Sequence, residues 1–198
     1  IVGRRINVDS FSNVATDNYL AGVMAGEYLG SIGHKRVATV TGPRITQWAR
    51  DRLDGFRDGL AKYQAQLEWQ YSQTDLPDFE TGLAACDALM ADYAGRALPT
   101  AIWAQNDIIA AAVLKSLTNQ GYRVPEDISL LGMDDIQLCT MVTPMLSTIH
   151  QPLREIAQES IRIIMENEPG AKPQPRRVIL TPTLQVREST APPNPAAD

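Results

Sequence analysis

Short apolar runs alternate with longer stretches whose apolar residues recur every three or four positions, and this alternation persists along almost the whole chain. A short apolar run between turn residues reads as a strand, and a periodic stretch as a helix with one buried face. Strands that take turns with helices call for crossover connections, which makes the class α/β with a mainly parallel sheet and helices on both faces. That alternation excludes all-helical bundles and antiparallel sandwiches before any single residue is weighed.

Taken in order, Arg4–Asp9 (RRINVD) alternate as a short strand. Asp17 caps a helix carrying Leu20, Val23, Met24, Tyr28 and Ile32, and Gly33 supplies the left-handed residue that closes it. Arg36–Thr41 is a strand before the turn Gly42-Pro43, and Ala49, Leu53, Phe56, Leu60 and Tyr63 stripe the second helix. Leu67, Trp69 and Tyr71 alternate as a strand; Phe79, Leu83, Cys86, Met90 and Tyr93 form a third helical stripe. Thr100–Ala104 is a strand. Asn106-Asp107 then opens a helix buried through Ile109, Ala112, Val113 and Leu117, which Gly121 ends. The strand Ile128–Leu131 ends at Gly132 and runs into Asp134 and Asp135. Pro152 suits the first position of a helix lined by Leu153, Ile156, Ile161 and Ile164. Val178–Leu180 and Leu184–Val186 are the last strands, and the Pro-rich tail APPNPAAD reads as disordered.

Composition narrows the function. The 198 residues carry a net charge of -5 and no basic cluster denser than KPQPRR at 172–177, which argues against a direct grip on nucleic acid. Cys86 and Cys139 have no metal or redox spacing and read as free buried thiols, as expected of a cytoplasmic protein. No apolar run reaches a membrane span, and no signal peptide is visible. The opening IVGRRINVD starts inside a strand-like pattern, as the later part of something longer would. There is no GxSxG elbow, GxxxxGK[ST] loop, GxGxxG or HExxH, so no residue is assigned catalysis and no cofactor is expected.

The candidate chemistry gathers where strands end, because open α/β sheets bind ligands at the carboxyl edge. Asp134 is either a turn carboxylate capping the following segment or an acceptor for paired hydroxyls or ring N–H groups of a ligand. Asp107, Asp134 and Asp135 could hold a divalent metal, but their spacing matches no carboxylate cage, and no metal is expected. Arg50 and Arg52 point roughly 200° apart at ~100° per residue, so one faces a cleft when the other meets solvent. Position favours Arg52. Asn106 serves equally as a helix cap or as a ligand contact. Trp48, read in the polar turn ITQWAR, is the more exposed tryptophan and suits stacking on a sugar face or a base; Trp103 reads as core. His34 and His150 have no partner nucleophile in a known arrangement, and neither is assigned catalysis.

Several segments together resemble the effector-binding domain of the LacI/GalR family of bacterial transcription repressors. They are VDSFSNVATDNYLAGVMAGEYLGSIGHKRVATVTGP, ARDRLDGFRDGL, PTAIWAQNDIIAAAVLKSL, GYRVPEDISLLGMDD, TPMLSTIHQP and the closing LTPTLQVREST with its Arg-x-Ser-Thr. The resemblance implies a periplasmic-binding-protein-like fold: two parallel-sheet lobes joined by three crossovers, with a small effector between them. It implies one complete lobe and one partial one. Residues 1–33 would be a remnant of the amino-terminal lobe and 34–146 the carboxy-terminal lobe. Residues 147–171 would carry the crossover strand and a helix of the amino-terminal lobe, 172–190 the final strands of the carboxy-terminal lobe, and 191–198 the disordered tail.

Carried over by position, Arg52, Asn106 and Asp134 resemble the family's effector contacts. Gln151 and Leu153 resemble residues lining the pocket or hinge, and Trp48 occupies a contact position usually held by a smaller side chain. The implied function is a ligand-sensing domain that binds a sugar or related metabolite and changes the operator affinity of a full-length homodimer. DNA would be read only through an amino-terminal headpiece that this sequence does not include. The implied dimer contact is the helix at 107–120 with residues 136–143. The alternative is a periplasmic sugar-binding protein of a transport system.

Overall fold

The computed structural model describes residues 11–42, 45–72, 78–166 and 175–194. The strand read at 4–9, Pro43 of the Gly-Pro turn and residues 195–198 of the tail lie outside the described residues. Within them the chain runs β1 (Asn13–Thr16), α1 (Asn18–Ser31), β2 (Arg36–Thr41), α2 (Gln47–Ala61), β3 (Gln66–Ser72), α3 (Phe79–Asp92), β4 (Ala101–Ala104) and α4 (Asp107–Asn119). It continues through β5 (Ser129–Asp134), a 3-10 turn at Gln137–Thr140, β6 (Ser147–His150), α5 (Leu153–Met165), β7 (Arg177–Leu180) and β8 (Thr183–Gln185).

The local signals act as expected. The Asp17 carboxylate accepts from the Leu20 N–H at 2.9 Å, and Gly33 and Gly121 sit at φ 108° and 88°, where a Cβ would be strained. Both cysteines are free and buried.

Six strands form one sheet in the order β3-β2-β4-β5-β6-β8, parallel except for the antiparallel pair β6–β8. One face is covered by α3 and α4 through Cys86, Leu89, Ile109, Val113 and Leu117. The other is covered by α1 and α2, where Ala21, Ala25, Leu29, Phe56 and Leu60 enclose Trp103, Leu131 and Met133. The expected membership of α1 in an amino-terminal remnant is therefore corrected: it is half of one face of this sheet. Gly22 and Gly55 let α1 and α2 touch backbone to backbone. A Cβ on either would come within 2.0 Å of a carbonyl oxygen of the facing helix, that of Arg52 or Tyr19.

A second, smaller unit consists of β1 paired in parallel with β7, backed by α5 through Val14, Ile156 and Ile163. The expectation that 172–190 supplies two strands to one sheet is corrected as well. β7 pairs with β1, while only β8 joins the large sheet. Among the described residues the chain thus passes between the two units three times, at residues 17, 151–152 and 181–182.

Three further expectations shift. β5 does not stop at Gly132 but continues to Asp134, because β6 pairs with it up to Asp134↔His150. Pro152 caps α5 from outside instead of opening it. On α5, Ile156, Ser160 and Ile163 are buried, whereas Leu153, Ile161 and Ile164 are exposed. The tail also differs. Ala191 is held by the large sheet, where its carbonyl accepts from Ser129 Oγ at 2.9 Å and meets His34 Nε2 at 3.0 Å.

Candidate functional site

The carboxyl edge of the large sheet faces the three crossings, and the polar residues of both converge there. Arg52 lies one turn into α2 and is only 6% exposed. Its Nε donates to Asn18 Oδ1 at 2.8 Å and its Nη1 to the Gln105 carbonyl at 2.7 Å. Trp48, expected in a turn, instead occupies the first turn of α2. The Thr46–Gln47 start puts its indole one helical turn before Arg52, with the guanidinium 5.0 Å from the ring centroid. The indole lies so close over Gly42 that a Cβ there would come within 2.3 Å of it.

Asp134 ends β5 with φ 120° and Asp135 follows at φ 61°, a region that favours glycine. Such backbone costs on the order of 1–3 kcal/mol per residue and persists where the surroundings hold it. Here Arg187 donates to Asp135 Oδ1 at 2.6 Å and His150 Nδ1 lies 3.1 Å from Oδ2. Arg187 opens the Arg-x-Ser-Thr motif, whose Ser189 and Thr190 side chains bond to Leu130 and Ser147. The motif is thus a clasp that fixes the acidic corner.

Gln151 joins the two units. Its Nε2 donates to Asp134 Oδ1 at 2.5 Å, while its Oε1 accepts from Thr16 Oγ1 at 2.8 Å. Asn18 donates back to the Thr16 carbonyl at 3.2 Å. Thr16, Gln151, Asp134, Arg52 and Asn18 therefore form a ring at two of the crossings, closed everywhere except between Arg52 and Asp134. These two attract each other electrostatically without a direct ion pair. Burial pushes the Asp134 carboxyl up to about 6, against the pull of Arg52 and the Gln151 hydrogen bond. Burial likewise lowers the Arg52 guanidinium to about 10, opposed by Asp134 and Asp107.

The other sequence candidates fall differently. Asn106 caps α4, its Oδ1 accepting from the Ile109 N–H at 2.7 Å. Leu153 is 51% exposed on α5 and stands outside the polar ring, though its N–H closes the crossing turn onto the Gln151 carbonyl. Asp107 is fully buried, with its oxygens taken by Thr148 Oγ1 at 2.7 Å and the Ile136 N–H at 3.0 Å. Desolvation raises its carboxyl above the usual range. Gly132 is required for that approach, since a Cβ would lie 2.3 Å from Asp107 Oδ1. Asp107, Asp134 and Asp135 thus serve three separate networks, and no three acidic, His or Cys side chains among the described residues are grouped for a metal. Thr16, Asn18 and Gln105 were not singled out from sequence. The one signal available was their place at strand ends.

Two α/β units, three crossings and a polar ring at two of them are the architecture of a two-lobed domain. The chain belongs to the periplasmic binding protein-like domain family, which it matches over residues 27–190, and within it to the LacI type. It is 34% identical over 182 residues to the ribose operon repressor of Escherichia coli, covering 91% of this chain and 54% of that protein. The chain thus spans about half the length of the curated relatives it matches. Among solved structures, a LacI family transcriptional regulator from Mycobacterium smegmatis superposes with a TM-score of 0.85 at 28% identity, over 98% of this chain and 70% of that one. A LacI family regulator from Enterococcus faecium with bound ribose gives 0.83 at 28% identity, over 95% and 68%.

Proposed function

We propose that this chain is the sensing part of a LacI-type transcriptional regulator, and that it binds a small neutral sugar between its two units without transforming it. The observation that carries the reading is the open ring. A cation and a carboxylate face each other, charged and desolvated, yet do not touch, so a hydroxyl that accepts from Arg52 and donates to Asp134 closes the circuit. The relative with bound ribose supports the ligand class. Because Gln151 and Thr16 tie that circuit to the smaller unit, ligand binding favours one arrangement of the two units over others, which is the requirement for allostery. In the full-length cytoplasmic protein this shift changes operator affinity.

The same reading includes a homodimer that pairs through α4 and residues 136–143, where Ile108 and Met141 expose apolar side chains. Calorimetric titration with D-ribose, D-xylose, D-glucose and cellobiose tests the first part. One of them is expected to bind, and Asp134→Ala to weaken it at least tenfold; unchanged affinity would remove Asp134 from the site. Sedimentation of Met141→Glu against the parent tests the second, with dissociation as the expected result.

A further inference from the structure

The proposed sugar site has one buried polar group that none of the contacts above uses. Gln105 is 2% exposed, and neither Nε2 nor Oε1 of its amide has a hydrogen-bond partner. Its backbone is fully engaged, since its N–H donates to the Val40 carbonyl at 3.0 Å and its carbonyl accepts from Arg52. Burying a primary amide with no partner is unfavourable, so a native structure that keeps one calls for a partner from outside the protein, such as a bound ligand or water.

The position can be read from the strand. Trp103 lies on the face of β4 covered by α2, with its ring 4.5 Å from that of Phe56. Side chains two apart on a strand share a face, and residues four apart on a helix share a side. Gln105 therefore stands beside Arg52 as Trp103 stands beside Phe56, one step closer to the carboxyl edge. Its carbonyl already accepts from the Arg52 guanidinium at 2.7 Å, which puts the residue at the edge of the open ring.

We propose that Gln105 is a specificity-determining residue of this site: its amide reads a ligand hydroxyl when the two units close on the ligand. The inference rests on the sugar-sensing reading and sharpens it. An amide donates and accepts with no net charge, so it suits a hydroxyl. A phosphate or carboxylate would meet the acceptor oxygens of Asp134 and Gln105 with Arg52 as the one cation in the ring. The ligand class that follows is a neutral polyol or sugar, in preference to a phosphorylated or acidic one.

The test titrates the chain and its Gln105→Leu variant with D-ribose, D-xylose, D-glucose, cellobiose and D-ribose 5-phosphate, then with deoxy forms of the tightest-binding sugar. Gln105→Leu is expected to bind that sugar at least tenfold more weakly, with its unliganded melting temperature unchanged or raised. One deoxy sugar is expected to bind parent and variant equally, because the hydroxyl that Gln105 reads is gone. D-ribose 5-phosphate is expected to bind the parent more weakly than D-ribose. Affinity for the tightest-binding sugar within twofold of the parent would overturn the role of Gln105 alone. So would an equal loss for every deoxy form, which marks a merely structural effect. Failure of the parent to bind any of the neutral sugars would overturn the sensing reading, and the role of Gln105 with it. Should Gln105→Leu fail to fold, Gln105→Met takes its place, with the same expected and overturning results.

Discussion

The two units differ in how completely they bury themselves. The six-stranded unit has both faces covered, and Phe56, Trp103, Leu130 and Leu131 are essentially inaccessible. The two-stranded unit buries Val14, Ile156 and Ile163, while Ile161, Ile164 and Met165 of the same helix stand exposed. Among the described residues the large unit therefore holds most of the buried core, and in the proposed reading the small unit acts through the polar ring at the crossings. A binding site built this way has a rigid wall and a loosely held one. Mutations should separate the two.

The largest effect is expected from Phe56→Ala. Phe56 packs on Trp103 between α2 and the sheet, and removing it leaves a cavity in the better-packed unit. A loss of ~3–5 kcal/mol is expected by urea unfolding. A loss below about 1 kcal/mol would mean that the large unit is not the principal core.

Next comes pH, which reads the junction itself. Asp134 titrates at about 6 in the fold against an ordinary 3.8, so the folded chain holds that proton more tightly than the unfolded one. Its contribution to stability is greatest below about pH 4 and is lost as pH rises through about 6, by up to ~3 kcal/mol. Ligand hydroxyls donate to the ionised carboxylate, so sugar affinity should move oppositely and rise through the same window. Asp134→Asn should flatten both trends between pH 4 and 7, as followed by thermal melts and calorimetry. Parallel trends for stability and affinity would place the ligand away from Asp134.

Gly22→Ala probes the rigid wall from behind. The added methyl would meet the Arg52 carbonyl oxygen, so α2 must move and carry Arg52 with it. A loss of ~1–3 kcal/mol is expected, together with weaker sugar binding although residue 22 touches no ligand. Retained affinity at reduced stability would show that Arg52 tolerates the shift.

The same contrast explains how much was legible in the sequence. Elements whose signals are local were placed well. Asp17 caps α1, Arg36–Thr41 is β2 at both ends, and Gly33 and Gly121 close their helices. What depends on distant partners was not. β5 extends to Asp134 because β6 lies beside it, and β7 leaves the large sheet because β1 is its neighbour. Neither pairing leaves a mark on the strand's own residues. Of the proposed site, Arg52 and Asp134 could be singled out as charges at strand or helix ends, together with a family resemblance. Gln105 was not, because a lone glutamine after a strand is ordinary until its amide is found buried and unpaired.

The smallest effect is expected on the exposed face of α5, and it tests the comparison most directly. Ile164 is 67% exposed, so replacing it removes little buried surface. Ile164→Ser should change stability by less than ~0.5 kcal/mol, as surface substitutions do. Ile163→Ala, one residue away but buried against Val14, should cost several times more. If the two variants lose the same amount in urea unfolding, the exposed face of α5 is covered in solution and the small unit is not loosely held. If they differ as expected, the unit rests on a narrow stripe of contacts, and the hydrogen bonds of Gln151 to Asp134 and Thr16 become a principal restraint on its orientation. A ligand that engages Asp134 would then act on that restraint directly, and its binding energy would shift the equilibrium between arrangements of the two units.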